Sequence, residues 1–311
     1  EYLINILEFP VLFLGTSAKH TPALYSLMAY SGIKQGTFYP IGGFNAVIKS
    51  MEKLCLDLGV NIVTGSEVKK INIKNKKVVS VSTENEEIET DYLIASADYA
   101  HVENQLLEKK YRNYSTEYWN KKNFSPSSLL FYLGVSKKLN KLDHHTLFFD
   151  EDIEQHSNDI YEKPIWPKKP LFYACCPAKT DPKVAPKDKE NLFILVPIAA
   201  GLNDTEEIRE EYFKIVMKRL EKFCGEKIIE HIEYKKSYCV NDFITDYNAF
   251  KGNAYGLANT LMQTANLKPK IVNKQVQNMY YTGQLTVPGP GVPPSIISGQ
   301  LVAEQIITKS K

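Results

Sequence analysis

Residues 279–306 read MYYTGQLTVPGPGVPPSIISGQLVAEQI. The start reads as a strand over 278–282, residues 283–294 as a loop, and 295–308 as a helix. Pro293 and Pro294 stand at the helix entry, where proline is tolerated. From Gln275 through Ala303 there is no Asp, Glu, Lys or Arg, in a chain that is 24% charged. Four prolines exclude a membrane-spanning helix, which needs roughly 20 mostly apolar residues. A strand, a glycine-rich loop and a helix N-terminus together suit an anion or an electron-rich ligand, because N–H groups point outward at the positive end of the helix dipole. Glycine lets a backbone approach a ligand with no Cβ in the way. Without side-chain charge, such a ligand is read by backbone amides and apolar contact. A reduced flavin, negative near one ring edge, fits this description. A buried structural crossover fits it too.

Working outward, residues 39–71 (YPIGGFNAVIKSMEKLCLDLGVNIVTGSEVKKI) form the clearest local unit. Phe44, Val47, Ile48, Met51, Leu54, Cys55 and Leu58 fall on one helical face. Gly59 marks a left-handed C-terminal cap. Residues 60–64 read as a short strand and 68–73 as a second, which pairs with 78–83 across the NKK turn. The run DYLIAS (91–96) suits a buried strand of a layered sheet. From about 103 to 270 the texture changes. Strands over 128–135, 146–149, 171–176 and 191–197 alternate with proline-rich loops, followed by a helix over 205–223 capped by Asp204 or Thr205. The pattern predicts an α/β layer plus a separate α+β domain.

The 311 residues carry a formal net charge of +2, with Lys and Arg dispersed. Nothing resembles a base-reading module, so no nucleic-acid partner is expected. Cys55, Cys175, Cys176, Cys224 and Cys239 show no CxxC and no zinc spacing, which fits a reducing compartment. His144 and His145 lie in a polar turn with no third ligand near in sequence, and a metal site needs three or four; no metal is expected. No G-x-G-x-x-G, P-loop, HExxH or GxSxG occurs. The chain opens on Glu1 with an apolar run cut by Pro10 and no signal peptide, and the expectation is that it begins partway through a larger protein.

The tail YYTGQLTVPGPGVPPSIISGQLVAEQI closely resembles the C-terminal signature of bacterial phytoene dehydrogenases, carotenoid desaturases of the flavin-containing amine oxidoreductase superfamily. FLGTSAKHTPALYSLMAYSGIKQGTFYPIGGF, LGVNIVTGSEVKKI, ADYAHVE and the stretch from FYACCPAKTD to EEIREEYF resemble further family segments, in the family's order. The resemblance implies an incomplete FAD/NAD(P)-binding, Rossmann-like α/β domain (41–105 and 271–311) and an α+β substrate domain with a mixed sheet (1–40 and 106–270). It implies that Val68 holds the adenine of FAD through its main chain. Gly283 and Gln284 face the ribityl–pyrophosphate, and Gly289, Pro290, Gly291, Val292 and Pro293 run beside the flavin ring. The implied reaction is FAD-dependent desaturation of a long apolar polyene such as phytoene, with no catalytic side chain nominated. Isomerase, saturase, amine oxidase or non-catalytic readings share the scaffold. Val287 stands where many relatives have His, and the family's N-terminal glycine-rich unit is absent, so the expectation is a truncated desaturase that holds FAD weakly by itself. A lipid substrate implies a cytoplasmic protein in peripheral membrane contact, with Ile165, Trp166, Lys168, Lys169 and Lys183 as the candidate docking residues.

Overall fold

The computed structural model describes residues 2–8, 11, 15 and 18–309; Glu1 and Pro10 lie outside the described residues. In chain order the strands among them are β1 (Lys70–Lys74), β2 (Lys77–Ser82), β3 (Glu87–Glu89), β4 (Leu93–Ala95), β5 (Ser127–Val135), β6 (His145–Phe148), β7 (Phe172–Cys175), β8 (Glu190–Ile198), β9 (Ile232–Tyr238) and β10 (Met279–Tyr281). They fall into two compact units. One holds residues 23–62 and 127–241; the other holds 63–126 and 242–309.

The first unit is built on a five-stranded sheet in the order β6-β7-β8-β5-β9. β8 alternates buried and half-buried residues along its whole length, the period-two pattern of a strand with one covered face. The helix Glu206–Cys224 covers that face with Tyr212, Phe213, Val216, Met217 and Leu220, which pack on Leu129, Phe131, Ile194 and Val196. Each of those aliphatic side chains contributes about 2 kcal/mol by leaving water. Thr205 caps the helix, its Oγ1 accepting from Ile208 N. Every pairing in the sheet is antiparallel, where a mixed sheet was expected. β8, the helix and β9 do form a crossover between two parallel strands, but β5 lies between them and is antiparallel to both. Helix-then-strand alternation in the sequence reports the crossover and not which strands become neighbours.

In the second unit β1, β2 and β3 make an antiparallel sheet, turned at Asn75 and Lys76, both with positive φ. β4 pairs in parallel with β10, Leu93 opposite Met279 and Ala95 opposite Tyr281. Asn278 ties the two sheets together: its Oδ1 accepts from Val78 N at 2.8 Å, and its Nδ2 donates to Val78 O and Asp91 O. Tyr99 stacks on Tyr281 with ring centres 3.7 Å apart, and Trp119, Leu107 and Leu257 join the same core.

This division differs from the expected boundaries in several places. The helix Gly43–Asp57 groups with the five-stranded sheet, where Gly42 N donates to Asp181 Oδ2 at 2.6 Å. Residues 106–126 and 242–270 group with β4 and β10, joined by the Phe124–Leu257 bridge and by Ser125 N donating to Gly256 O. Residues 60–64 form no strand; Val60, Ile62 and Val63 are exposed, and Val60 N turns back to Cys55 O at the end of the preceding helix. The helix Gly43–Asp57 ends at a Gly59 with positive φ, yet Phe44, Ile48, Met51 and Leu54 of its apolar face are exposed.

Candidate flavin site

β10 delivers the chain into the 282–291 loop at the carboxyl end of the parallel pair, the position at which open α/β sheets bind ligands. Thr282 N donates to Ala95 O, and the Ser96 and Thr282 hydroxyls lie 2.8 Å apart, so the exit of β10 is locked to the exit of β4. Thr286 is fully buried and closes the loop on itself, its N and Oγ1 both donating to Gly283 O.

The first loop residues are tied inward. Gly283 N donates to Ser298 Oγ at 2.9 Å, and Gln284 Nε2 donates to Asn253 Oδ1. A Cβ on Gly256 would stand 2.8 Å from Gln284 O, so that close approach requires glycine. Val68 lies beside β1, half-buried against the same core as Leu285. Gly289, Pro290 and Gly291 continue the loop, and the helix begins at Val292, three residues before the expected start.

That shift alters the chemistry. Pro293 and Pro294 now occupy the first turn and have no N–H to offer. Ser295 N donates to Gly291 O. Three of the first four helical positions therefore present no free amide to a ligand, and the expected cradle of backbone donors is thin.

A side chain takes its place. Lys268 is 2% exposed, and its Nζ has no hydrogen-bond partner among the described residues. It lies against Gly289: a Cβ built there, at φ +135°, would stand 3.1 Å from Lys268 Cε and 3.4 Å from Nζ. Asn259 Oδ1, also buried and unpartnered, is 3.9 Å from the same point. Burial pushes the Lys268 pKa down to about 8. An unpaired buried ammonium costs several kcal/mol unless something negative answers it. Neither residue was legible in the sequence, because a lysine in the loop ANLKPK carries no mark of burial.

Behind β10 the core is polar but closed. Glu103 accepts from Asn113 N, Tyr114 N and the Tyr281 hydroxyl. Burial still pushes its carboxyl up to about 7, and raises Tyr99 and Tyr281 well above the ordinary phenol range. These groups satisfy one another and hold β10 in place.

The sequence profile of the flavin containing amine oxidoreductases matches residues 4–307. The chain belongs to that family. A carotenoid 3,4-desaturase from Haloarcula japonica is 41% identical over 305 residues, covering 98% of this chain and 62% of that protein. A zeta-carotene-forming phytoene desaturase from Myxococcus xanthus is 28% identical over 99% of this chain and 60% of its own length. The chain thus spans about three fifths of the curated relatives it matches. An oxidoreductase from Methanosarcina mazei shares the fold over 98% of this chain and 65% of its own, with a TM-score of 0.66 at 16% identity. A putrescine oxidase does so over 86% of this chain and 53% of its own, with a TM-score of 0.54.

The residues present fit a flavin. An ammonium donor and an amide acceptor, both buried and unpartnered, match a ring edge that alternates carbonyl oxygens with N–H. The loop between them has no Cβ at its closest point.

The docking residues proposed from sequence divide. Trp166 turns inward, its Nε1 donating to Asn203 O and its ring packed on Tyr212, while Ile165 stays exposed. No helix among the described residues is long and apolar enough to cross a membrane.

Proposed function

We propose that the unit carrying β4 and β10 forms the flavin side of a FAD-dependent carotenoid desaturase, and that the five-stranded unit belongs to its polyene side. The observation that carries this reading is the unpartnered Lys268 ammonium beside Gly289, in a family named for its flavin. Bound FAD supplies the hydride acceptor for removal of hydrogen across a CH2–CH2 unit.

The chain's own residues orient and exclude. Gly289 to Val292, with no charged side chain among them, line the ring and leave a dry approach for a hydrocarbon. Lys268 holds the electron-rich ring edge, and its positive charge favours the reduced form. Val68 holds the adenine side through its main chain, and Gly283 and Gln284 shape the segment beside the ribityl–pyrophosphate. A hydrocarbon substrate resides in the bilayer, so the protein works at its surface from the cytoplasm. The relatives' names point to phytoene-like or partly desaturated carotenes as substrates.

Incubating the FAD-supplemented chain with a C40 polyene in liposomes is the direct test. New long-wavelength absorption from lengthened conjugation is expected. FAD bound saturably with no change in the polyene would contradict the desaturase assignment and leave the flavin site standing.

A further inference from the structure

The polar turn at His144 and His145 gains in three dimensions the ligand it lacks in sequence. β6 pairs with β7 so that His145 stands directly opposite Cys175, and Cys176 N donates to His144 O at 2.9 Å. Cross-strand partners hold their Cβ atoms about 5 Å apart. One ring nitrogen of each histidine and the Cys175 sulfur lie within 4.8 Å of one another.

The surroundings fix the imidazoles. His144 Nδ1 shares a hydrogen bond of 2.6 Å with Thr180 Oγ1, and His145 Nδ1 pairs with the Tyr173 hydroxyl. Such outer hydrogen bonds are what orient metal-ligating histidines. The Tyr39 ring stands edge-on to His144, 4.6 Å between centres, and walls the site. His144 Nε2 is buried with no hydrogen-bond partner among the described residues. A buried imidazole nitrogen without a partner is unfavourable unless a proton donor or an ion meets it.

We propose that His144, His145 and Cys175 bind a zinc-class divalent ion, with water or a small anion in the fourth position. Two imidazoles and one thiolate select a borderline-soft metal over magnesium or calcium. Tetrahedral zinc, with Zn–N near 2.0 Å and Zn–S near 2.3 Å, places its ligand atoms roughly 3.5 Å apart. The ion closes the present triangle by drawing its widest pair, no more than 4.8 Å apart, together by about 1 Å. Bound there, it fastens edge strand β6 to β7 and to the loop at Thr180.

Cobalt(II) is the probe. Titrated into the metal-free, reduced full chain, it is expected to raise a thiolate-to-cobalt charge-transfer band that saturates at one ion per chain and is displaced by zinc. Cys175→Ser abolishes the band while leaving the chain folded, and His145→Gln, at an exposed position, weakens binding by more than tenfold. Tyr173→Phe, which removes the hydroxyl that meets both His145 Nδ1 and the Cys175 thiol, weakens it about tenfold. Cys55→Ser, away from the cluster on the helix Gly43–Asp57, changes neither band nor affinity. A parent chain with no thiolate band, a band that survives Cys175→Ser, or unchanged affinity in His145→Gln would each overturn the site.

Discussion

Among the described residues two cations, Arg209 and Lys268, are buried, and the fold treats them differently. Arg209, on the helix over the five-stranded sheet, meets Asp204 through two hydrogen bonds of 2.6 and 2.7 Å. Asp204 also accepts from Asn241 N. Lys268, beside the glycine-rich loop, has no hydrogen-bond partner among the described residues. The first cation is neutralised by its own fold and serves structure. The second has no such partner among the described residues, which is the feature that carries the proposed flavin site. A fold tolerates a lone buried charge only at a cost, and such costs mark binding sites more reliably than paired charges do.

The largest effect comes from unmaking the satisfied pair. Asp204→Ala leaves the buried Arg209 with only the exposed Glu206 carboxylate, 3.5 Å away, and Asn241 N without its acceptor, and is expected to cost about 3–5 kcal/mol in urea denaturation. A loss under 1 kcal/mol would erase the contrast. Next is the pH dependence of the lone lysine. Its folded pKa, about 8, lies below the 10.5 of the free side chain. Between those values the unfolded chain binds more protons, so stability rises with pH, by about 3 kcal/mol across the window. The ligand-free parent should show this rise relative to Lys268→Met, and saturating FAD should flatten it. Parallel curves for the two proteins would mean that Lys268 is not held as described.

Smaller effects separate two helices that look alike in sequence. Val216→Ala, in the buried face of Glu206–Cys224, is expected to cost about 2 kcal/mol. Leu54→Ala, on the face of Gly43–Asp57 that is 58% exposed at this residue, is expected to stay within about 0.5 kcal/mol. The same chemical denaturation reads both.

These helices show what the sequence made legible. Apolar spacing identified both, and the cap at Asp204 or Thr205 and that at Gly59 marked one end of each, because period and capping are local properties. Neither reveals what covers a face: one meets a sheet and the other meets solvent. Strands β5, β7 and β8 were legible as apolar runs, but the antiparallel order around β5 depends on long-range pairing. At the site, the uncharged 275–303 stretch pointed to the loop. Its lack of charge suggested backbone recognition, whereas the structure sets prolines at the helix start and a lysine from another segment against Gly289. Likewise the third ligand beside His144 and His145 lies 30 residues on in the chain, brought back by strand pairing.

In the proposed site Lys268, at the Gly289 loop, receives a flavin. Titrating FAD into the parent chain and into Lys268→Met, followed by flavin fluorescence, tests it most directly. Saturable binding by the parent is predicted, about thirtyfold weaker in the variant, the equivalent of about 2 kcal/mol for removing a buried charge partner. Equal affinity in the two proteins, or no saturable binding by the parent, would contradict it.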